Sequence, residues 1–499
     1  MSVQSSLSVW RYLLLLAAIF SVQVALHGTL LTLPYFWDEA GYYIPAAYDF
    51  FQHGNLIPAS TLTNAHPPLP VLYLALWWKL FGFKPIVTRL AMLLVSAFAL
   101  LEVFQLANIY FQQRDASRFA PLAVTILMGL YPIFYTQSSL AHADLLAMAL
   151  IVCGLRLWFQ NKLAHAATIF ALTCLAKETA VIFIFAVIIY QFICSAKSKS
   201  LPVGTSLFTR YGKLLPLCLS IIPLAIWYLY HFSVTGHVFG NSSFFRYNLS
   251  ETLVPTRVLA ALLLRTWHLL GHMNLWVLTL AATIACLLWR KPQIPQSASN
   301  KRNTLILILL TQWVFFSLTG GALLTRYLLA AFPLVIMLLV EVLIRRTTFW
   351  IPSLAITALA FIFALSHGPA YRIAPEDNLT YRDFIQLHQG AADYLSSHHP
   401  TARVLTAWPA TDELTRPWLG YVEHPFSVSR VEDFSVGSIM AARTFGGHDT
   451  LVAFNTKDQT PPFIHSEWWD RVNMQYFHDQ TSQCKYGCCV CKLILKPQP

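Results

Sequence analysis

The chain has 499 residues, of which 56% are hydrophobic, 14% aromatic and only 11% charged. So little charge cannot cover a soluble fold of this length, which leaves most of the chain facing lipid or a lipid-embedded interior. The net charge of +11 does not point to nucleic acid, because the basic residues come in twos and threes between apolar runs, as in the cytoplasmic loops of a membrane protein.

The first apolar run, 10–33, is longer than a signal-peptide core and has no small-residue cleavage site after it, so it reads as a first transmembrane helix. A long loop, 34–85, follows. Further runs able to cross about 30 Å of hydrocarbon lie at 86–111, 119–137, 139–159, 214–231, 266–289, 303–320, 323–343 and 348–367. The stretch 165–193 is interrupted by Lys177 and Glu178. As one helix it would be roughly 43 Å long and would hold an ion pair near mid-membrane. Its flanks, Lys162 on one side and Lys197, Lys199, Arg210 and Lys213 on the other, both ask for the cytoplasm, which makes it a hairpin.

That choice gives about eleven crossings, with the basic clusters Arg114/Arg118, 197–213, Arg290/Lys291/Lys301/Arg302 and Arg345/Arg346 inside and the polar segment after 367 outside. The hairpin arms are too short to cross fully, so the Lys177-Glu178 turn is recessed below the outer surface and needs a water-filled or substrate-filled cavity. The fold expected is an α-helical polytopic membrane domain, 1–367, followed by a small extracytoplasmic α/β domain, 368–499. In the latter, 381–396 is helix-like and 403–407, 421–423 and 450–454 are strand-like. Five cysteines, Cys153, Cys174, Cys194, Cys218 and Cys286, lie in or beside apolar runs as small hydrophobes. The other four, Cys484, Cys488, Cys489 and Cys491, crowd the C-terminal tail. They read as disulfides in an oxidising compartment or, less well, as a zinc knot.

Two adjacent carboxylates, Asp38 and Glu39, follow the first helix within Trp37-Asp38-Glu39. Acids at a membrane boundary suit a general base better than they suit packing, although a solvated pair of loop charges would look the same. Their company separates the two readings: Asn64-Ala65-His66-Pro67-Pro68-Leu69-Pro70, Thr88-Arg89-Leu90, Ala141-His142-Ala143-Asp144, Leu175-Ala176-Lys177-Glu178-Thr179 and Thr325-Arg326-Tyr327. In the derived topology each set lies at the outer end of its helix, whereas unrelated snorkelling side chains would divide between the two faces.

On these motifs the chain resembles the GT-C glycosyltransferases, over residues 10 to about 345. The likeness is to the bacterial branch grouped with dolichyl-phosphate-mannose protein mannosyltransferases and the lipid A aminoarabinose transferase. His66 stands where the aminoarabinose transferases usually carry Lys, which brings this chain nearer the protein mannosyltransferase pattern. The resemblance implies a transferase that takes a sugar from a polyprenyl-phosphate donor to an acceptor on the outer face of the inner membrane, with Asp38 as the base. Lys177 and Arg326 suit the leaving phosphate, whose negative charge grows as the sugar departs. The lesser, competing reading of Lys177 is a snorkelling interface lysine paired with Glu178.

His66 is placed to bond the donor or to order its loop, and Tyr327 to reach the phosphate or to join an aromatic belt. Arg89 and Asp144 are expected to pair with each other, and Glu39 to orient Asp38, bind an acceptor or ligate a divalent ion. The chemistry requires no cofactor; a divalent metal is compatible with it but not indicated. Partners are the lipid-linked donor, membrane lipid and an acceptor the sequence does not name. The rival reading is a lipid-linked sugar flippase or transporter, which would need polar groups through the full depth or on both faces, whereas here they gather outside. No internal repeat is present.

Overall fold

The computed structural model describes residues 8–112, 118–197, 211–288 and 296–455 and the strand segments 472–473, 476–478, 488–492 and 494–495. Helix α1 (Val9–Leu26) starts where the Ser8 hydroxyl accepts a hydrogen bond from the Arg11 amide. It is apolar on every side and largely exposed, the surface of a helix that faces lipid. The stretch read as a plain loop, 34–85, contains two helices, α2 (Ile44–His53) and α3 (Leu69–Phe81). Each stops at a glycine with positive φ, Gly54 and Gly82. Helix α3 is apolar and leaves Leu76, Leu80 and Phe81 exposed. At about 20 Å it is too short to cross a bilayer.

Helix α4 (Pro85–Phe111) is the buried axis of the molecule, packed against α1, α5 (Ala120–Leu130) and α7 (Ala143–Phe159). Several expected spans are broken by their own residues. The run 119–137 forms α5 and a separate α6 (Pro132–Gln137), because Pro132 pushes Tyr131 into an extended conformation. The run 266–289 divides into the end of one helix (Pro255–Leu270) and a second (Leu275–Leu288), separated by Gly271 and by Met273 at φ 49°. The run 323–343 opens as a 3-10 turn, Thr325–Leu328, and becomes α-helix only at Phe332–Arg346. Among the described residues, five helical stretches are long and apolar enough to cross a membrane by length and composition.

The hairpin expected from charge forms. Helix α8 (Leu163–Ala176) returns along α7, the chain turns through an extended Lys177 and the 3-10 turn Glu178–Ala180, and α9 (Val181–Lys197) runs back. Contacts fix the two ends of the bundle. Lys177 meets Asp144 at the start of α7. At the opposite end the Tyr190 hydroxyl donates to the Asn300 carbonyl at 2.9 Å, and Lys301 to the Ile109 carbonyl at 3.0 Å. Towards that end, the fully buried Glu102 binds Arg156 through two hydrogen bonds, at 2.5 and 3.2 Å, and the Tyr12 hydroxyl at 2.7 Å, which ties α1, α4 and α7 together.

After the apolar helix Trp350–Ser366 the chain builds the small domain. Helix Thr380–His398 covers a sheet in which β1 (Arg403–Ala407), β2 (Ser427–Val431) and β3 (Thr450–Phe454) run parallel, with β2 at the edge and β1 between the other two. Strand Cys488–Lys492 adds antiparallel beside β3. Residues 421–423 are not a strand. They follow Gly420, whose φ of 93° turns the chain away, and the Tyr421 hydroxyl donates to the Tyr35 carbonyl at 3.1 Å. The segment therefore binds the first loop instead of the sheet. The reading of Cys484, Cys488, Cys489 and Cys491 falls outside the described side chains.

The small domain is clamped on that loop by Tyr48 stacked on Trp418 at 4.9 Å, by Trp37 edge-on to Trp408 at 4.9 Å, and by Arg416 donating to the Ser60 carbonyl at 2.8 Å. The charge pattern makes a topology prediction. A reporter active only outside the cytoplasm, fused after residue 367, is expected to be active, and one fused near Lys199 inactive. Activity at Lys199 would overturn the assignment of the two ends.

Candidate active site

Five separate stretches of chain deliver charged groups to one end of the bundle: the loop after α1, the start of α7, the end of α8, the 3-10 turn at 325–328 and the segment after the last apolar helix. At their centre is Arg326, buried, its guanidinium bound to Asp38 and to Glu376 at 3.1 Å, with Asp144 at 3.6 Å. Asp144 is also bound by Lys177, whose ammonium lies 4.5 Å from the centre of the Tyr327 ring. His142 lies against Arg326 at 3.2 Å and is held by the Gln137 side chain at 2.8 Å. Asp38 is the accessible acid of this cluster, its side chain 33% exposed where that of Asp144 is 4%.

Local backbone geometry supports the placement. Trp37, directly before Asp38, and Ala65, directly before His66, both have positive φ, at 43° and 55°. Such a conformation costs an L residue roughly 1–2 kcal/mol. It persists because Trp37 is wedged among Phe36, Phe384 and Trp408, while the Ala65 carbonyl accepts from the Trp227 indole at 2.9 Å.

The sequence-predicted residues sort into three groups. Asp38, Asp144, Lys177, Arg326 and Tyr327 come together as one cluster. His66 and Glu178 pair with each other at 3.1 Å, and Tyr43 stacks on His66 and reaches His142, which joins this pair to the cluster. Glu39 and Arg89 form a third group, and two expectations fail there. Arg89 does not pair with Asp144. It binds Glu39 with two nitrogens and the carbonyls of Ser139 and Pro34 at 2.8 and 2.9 Å.

Glu39 is fully buried and also accepts from the backbone amides of Phe36 and Ala141, so both its oxygens are occupied and no face is open to an acceptor or an ion. Glu39 and Arg89 are the rivet that pins the first loop to α4 and to the approach of α7. Arg89→Met is expected to cost about 3–5 kcal/mol by stranding a buried carboxylate. A thermal-unfolding scan in detergent measures the loss, and unchanged stability would refute the rivet. The suggested Lys177–Glu178 partnership also gives way, since Lys177 takes Asp144 and Glu178 takes His66.

Glu376 and His142 were missed as site residues. His142 stood within a motif already quoted, beside Asp144. Glu376 lies past the last apolar run, and its return to the bundle depends on Thr136, whose hydroxyl donates to the Glu376 carbonyl, and on the neighbouring Asp377, bound by Thr325 and by His272 at 3.0 Å. Burial pushes the Glu376 carboxyl up to about 7 against the pull of Arg326. Asp38 and Asp144 hold Lys177 and Arg326 in ion pairs. The arrangement can thus hold two cations ready in a poorly hydrated site and release them to an incoming anion, leaving Asp38 free at the accessible edge. Among the described residues no group of three or more His, Cys, Asp and Glu side chains is set to hold a metal ion.

No protein-family model matches the sequence, and no curated protein is significantly similar to it. Solved structures are similar in fold. ArnT from Cupriavidus metallidurans bound to undecaprenyl phosphate matches with a TM-score of 0.58 at 12% identity, over 98% of this chain and 100% of that one. The apo state of the same protein matches with a TM-score of 0.55 at 11% identity, over 98% and 99%. The chain thus shares its fold with that protein over nearly its whole length, and carries a small C-terminal α/β domain.

Proposed function

We propose that this protein is a membrane glycosyltransferase that moves a sugar from a polyprenyl-phosphate donor to an acceptor on the outer face of the membrane, with inversion at the anomeric carbon. The observation that carries this is the cluster itself: two buried cations, Lys177 and Arg326, held by carboxylates one of which, Asp38, is accessible. A fold like that of a protein crystallised with undecaprenyl phosphate supports the donor class.

In this reading the donor phosphate takes the place of carboxylates on Lys177 and Arg326, and Tyr327 packs beside it. His66 orders the loop that borders the donor. The acceptor hydroxyl or amine gives its proton to Asp38 and forms the new bond to the anomeric carbon. The sugar–phosphate bond breaks with its electron pair passing to the phosphate, whose added charge the two cations meet. Glu39, Arg89, Asp144 and Glu178 position these groups without touching the sugar.

The test is comparative mass spectrometry of the cell envelope with and without this protein, followed by transfer assays with purified protein and a panel of synthetic polyprenyl-phosphate sugars. One missing glycosyl unit, regenerated in vitro from one donor, is the expected result. An unchanged envelope glycan profile together with no transfer from any donor would refute the proposal.

A further inference from the structure

A buried polar atom without a partner marks a place where a partner belongs. Gln312 has two such atoms: the residue is 1% exposed, and neither its amide oxygen nor its amide nitrogen finds a hydrogen bond. It lies in the apolar part of the helix Gln296–Leu318, where an intramembrane polar residue calls for an explanation. Gln312 lines a cavity of about 20 Å³ together with Asp144, Lys177, Arg326 and Tyr327. Two more buried atoms that make no hydrogen bond, Asp144 Oδ2 and Arg326 Nε, belong to residues of the same lining and face each other at 3.6 Å, an ion pair too long for a direct hydrogen bond.

Size and hydrogen-bond chemistry name the occupant. One water needs roughly 10–15 Å³, so the cavity has room for a water. The four atoms without a hydrogen bond are two donors, Gln312 Nε2 and Arg326 Nε, and two acceptors, Gln312 Oε1 and Asp144 Oδ2. A phosphate oxygen has no proton for the acceptors. Water gives two hydrogen bonds and takes two, which matches the set.

We propose that Gln312 is a positioning residue that holds a buried water, and that this water braces Asp144 and Arg326 from the membrane side. The carboxylate that binds Lys177 and the guanidinium that binds Asp38 are then fixed from behind and keep their outward faces for the substrate. The effect on turnover rests on the function proposed above, whereas the water itself does not.

The test compares wild type with Gln312→Met, which keeps the volume and removes the amide, and Gln312→Asn, a shorter amide with space for a second water. A structure of the protein in nanodiscs, at a resolution that shows waters, is expected to place one on the Gln312 amide and to lose it in Gln312→Met. A dry cavity in the wild type overturns the proposal. In transfer assays Gln312→Met is expected to lower kcat about tenfold with the donor KM within about twofold, and Gln312→Asn to recover most of that loss. Equal rates in all three proteins, or an Asn variant no better than Met, also overturn it. If the water is present but no polyprenyl-phosphate sugar supports transfer by the wild type, the proposed function falls and the bracing water stands.

Discussion

Lys177→Ala and Arg326→Ala are each expected to lower kcat about a hundredfold in a transfer assay, corresponding to on the order of 3 kcal/mol of transition-state stabilisation. In the proposed mechanism each cation meets a phosphate whose charge rises as the sugar leaves, so its removal should weaken the transition state more than the bound donor. kcat should fall further than KM rises. The structure adds a complication for Arg326, which holds Asp38 and Glu376 and faces Asp144; its loss leaves buried carboxylates uncompensated. Arg326→Lys separates the two effects, because it keeps the charge and gives up the fork geometry that reaches several carboxylates at once. It is expected to fold like wild type, judged by size-exclusion profile and thermal scan, and to retain an intermediate rate. Near-wild-type rates in both alanine variants would remove the leaving-group role from this pair.

Much of the site was legible in the sequence because charged groups in apolar runs are costly and therefore conspicuous. Asp38, Asp144, Lys177 and Arg326 each interrupt or border such a run, and the charge of the loops was enough to bring them to one end. What the sequence could not supply was which group pairs with which. Arg89, Asp144 and Glu39 come to the same end, so the rotation of α4 and α7 about their axes decides their partners, and a one-dimensional pattern with no side-chain directions does not encode that. The same limit hid Gln312, a neutral residue that stands out only once its lack of partners is seen.

Helix boundaries failed where proline or glycine cut an apolar run, at Pro132 and Gly271, since hydropathy averages over the break. The small domain was half legible. Strands β1 and β3 are buried apolar runs that reveal themselves, whereas β2 reads Ser427-Val428-Ser429-Arg430-Val431 and is mostly uncovered. The role of 421–423 is set by contact with Tyr35, nearly four hundred positions earlier in the chain.

Asp38→Asn is expected to abolish transfer while leaving donor binding intact. An amide keeps the size and much of the hydrogen bonding of the carboxylate but cannot take the acceptor's proton, which separates base catalysis from positioning. The structure makes Asp38 the acid to test, because Glu39 is sealed behind Arg89 and Asp144 lies between Lys177 and Arg326, while Asp38 alone of the three presents a third of its side chain to the outside.

Asp38 is bound to Arg326, so its carboxylate is occupied in this arrangement. Under the proposed mechanism the donor phosphate must draw Arg326 away before Asp38 can take a proton, which predicts ordered binding: donor first, acceptor second. Binding of radiolabelled donor should survive in Asp38→Asn, and product should be absent. Substantial product would move the base to Asp144. The stereochemistry of the wild-type product is an independent check. With the base on one face of the sugar and the phosphate on the other, a single displacement inverts the anomeric carbon, and a product that retains the donor's configuration would sink the mechanism whatever the variant does.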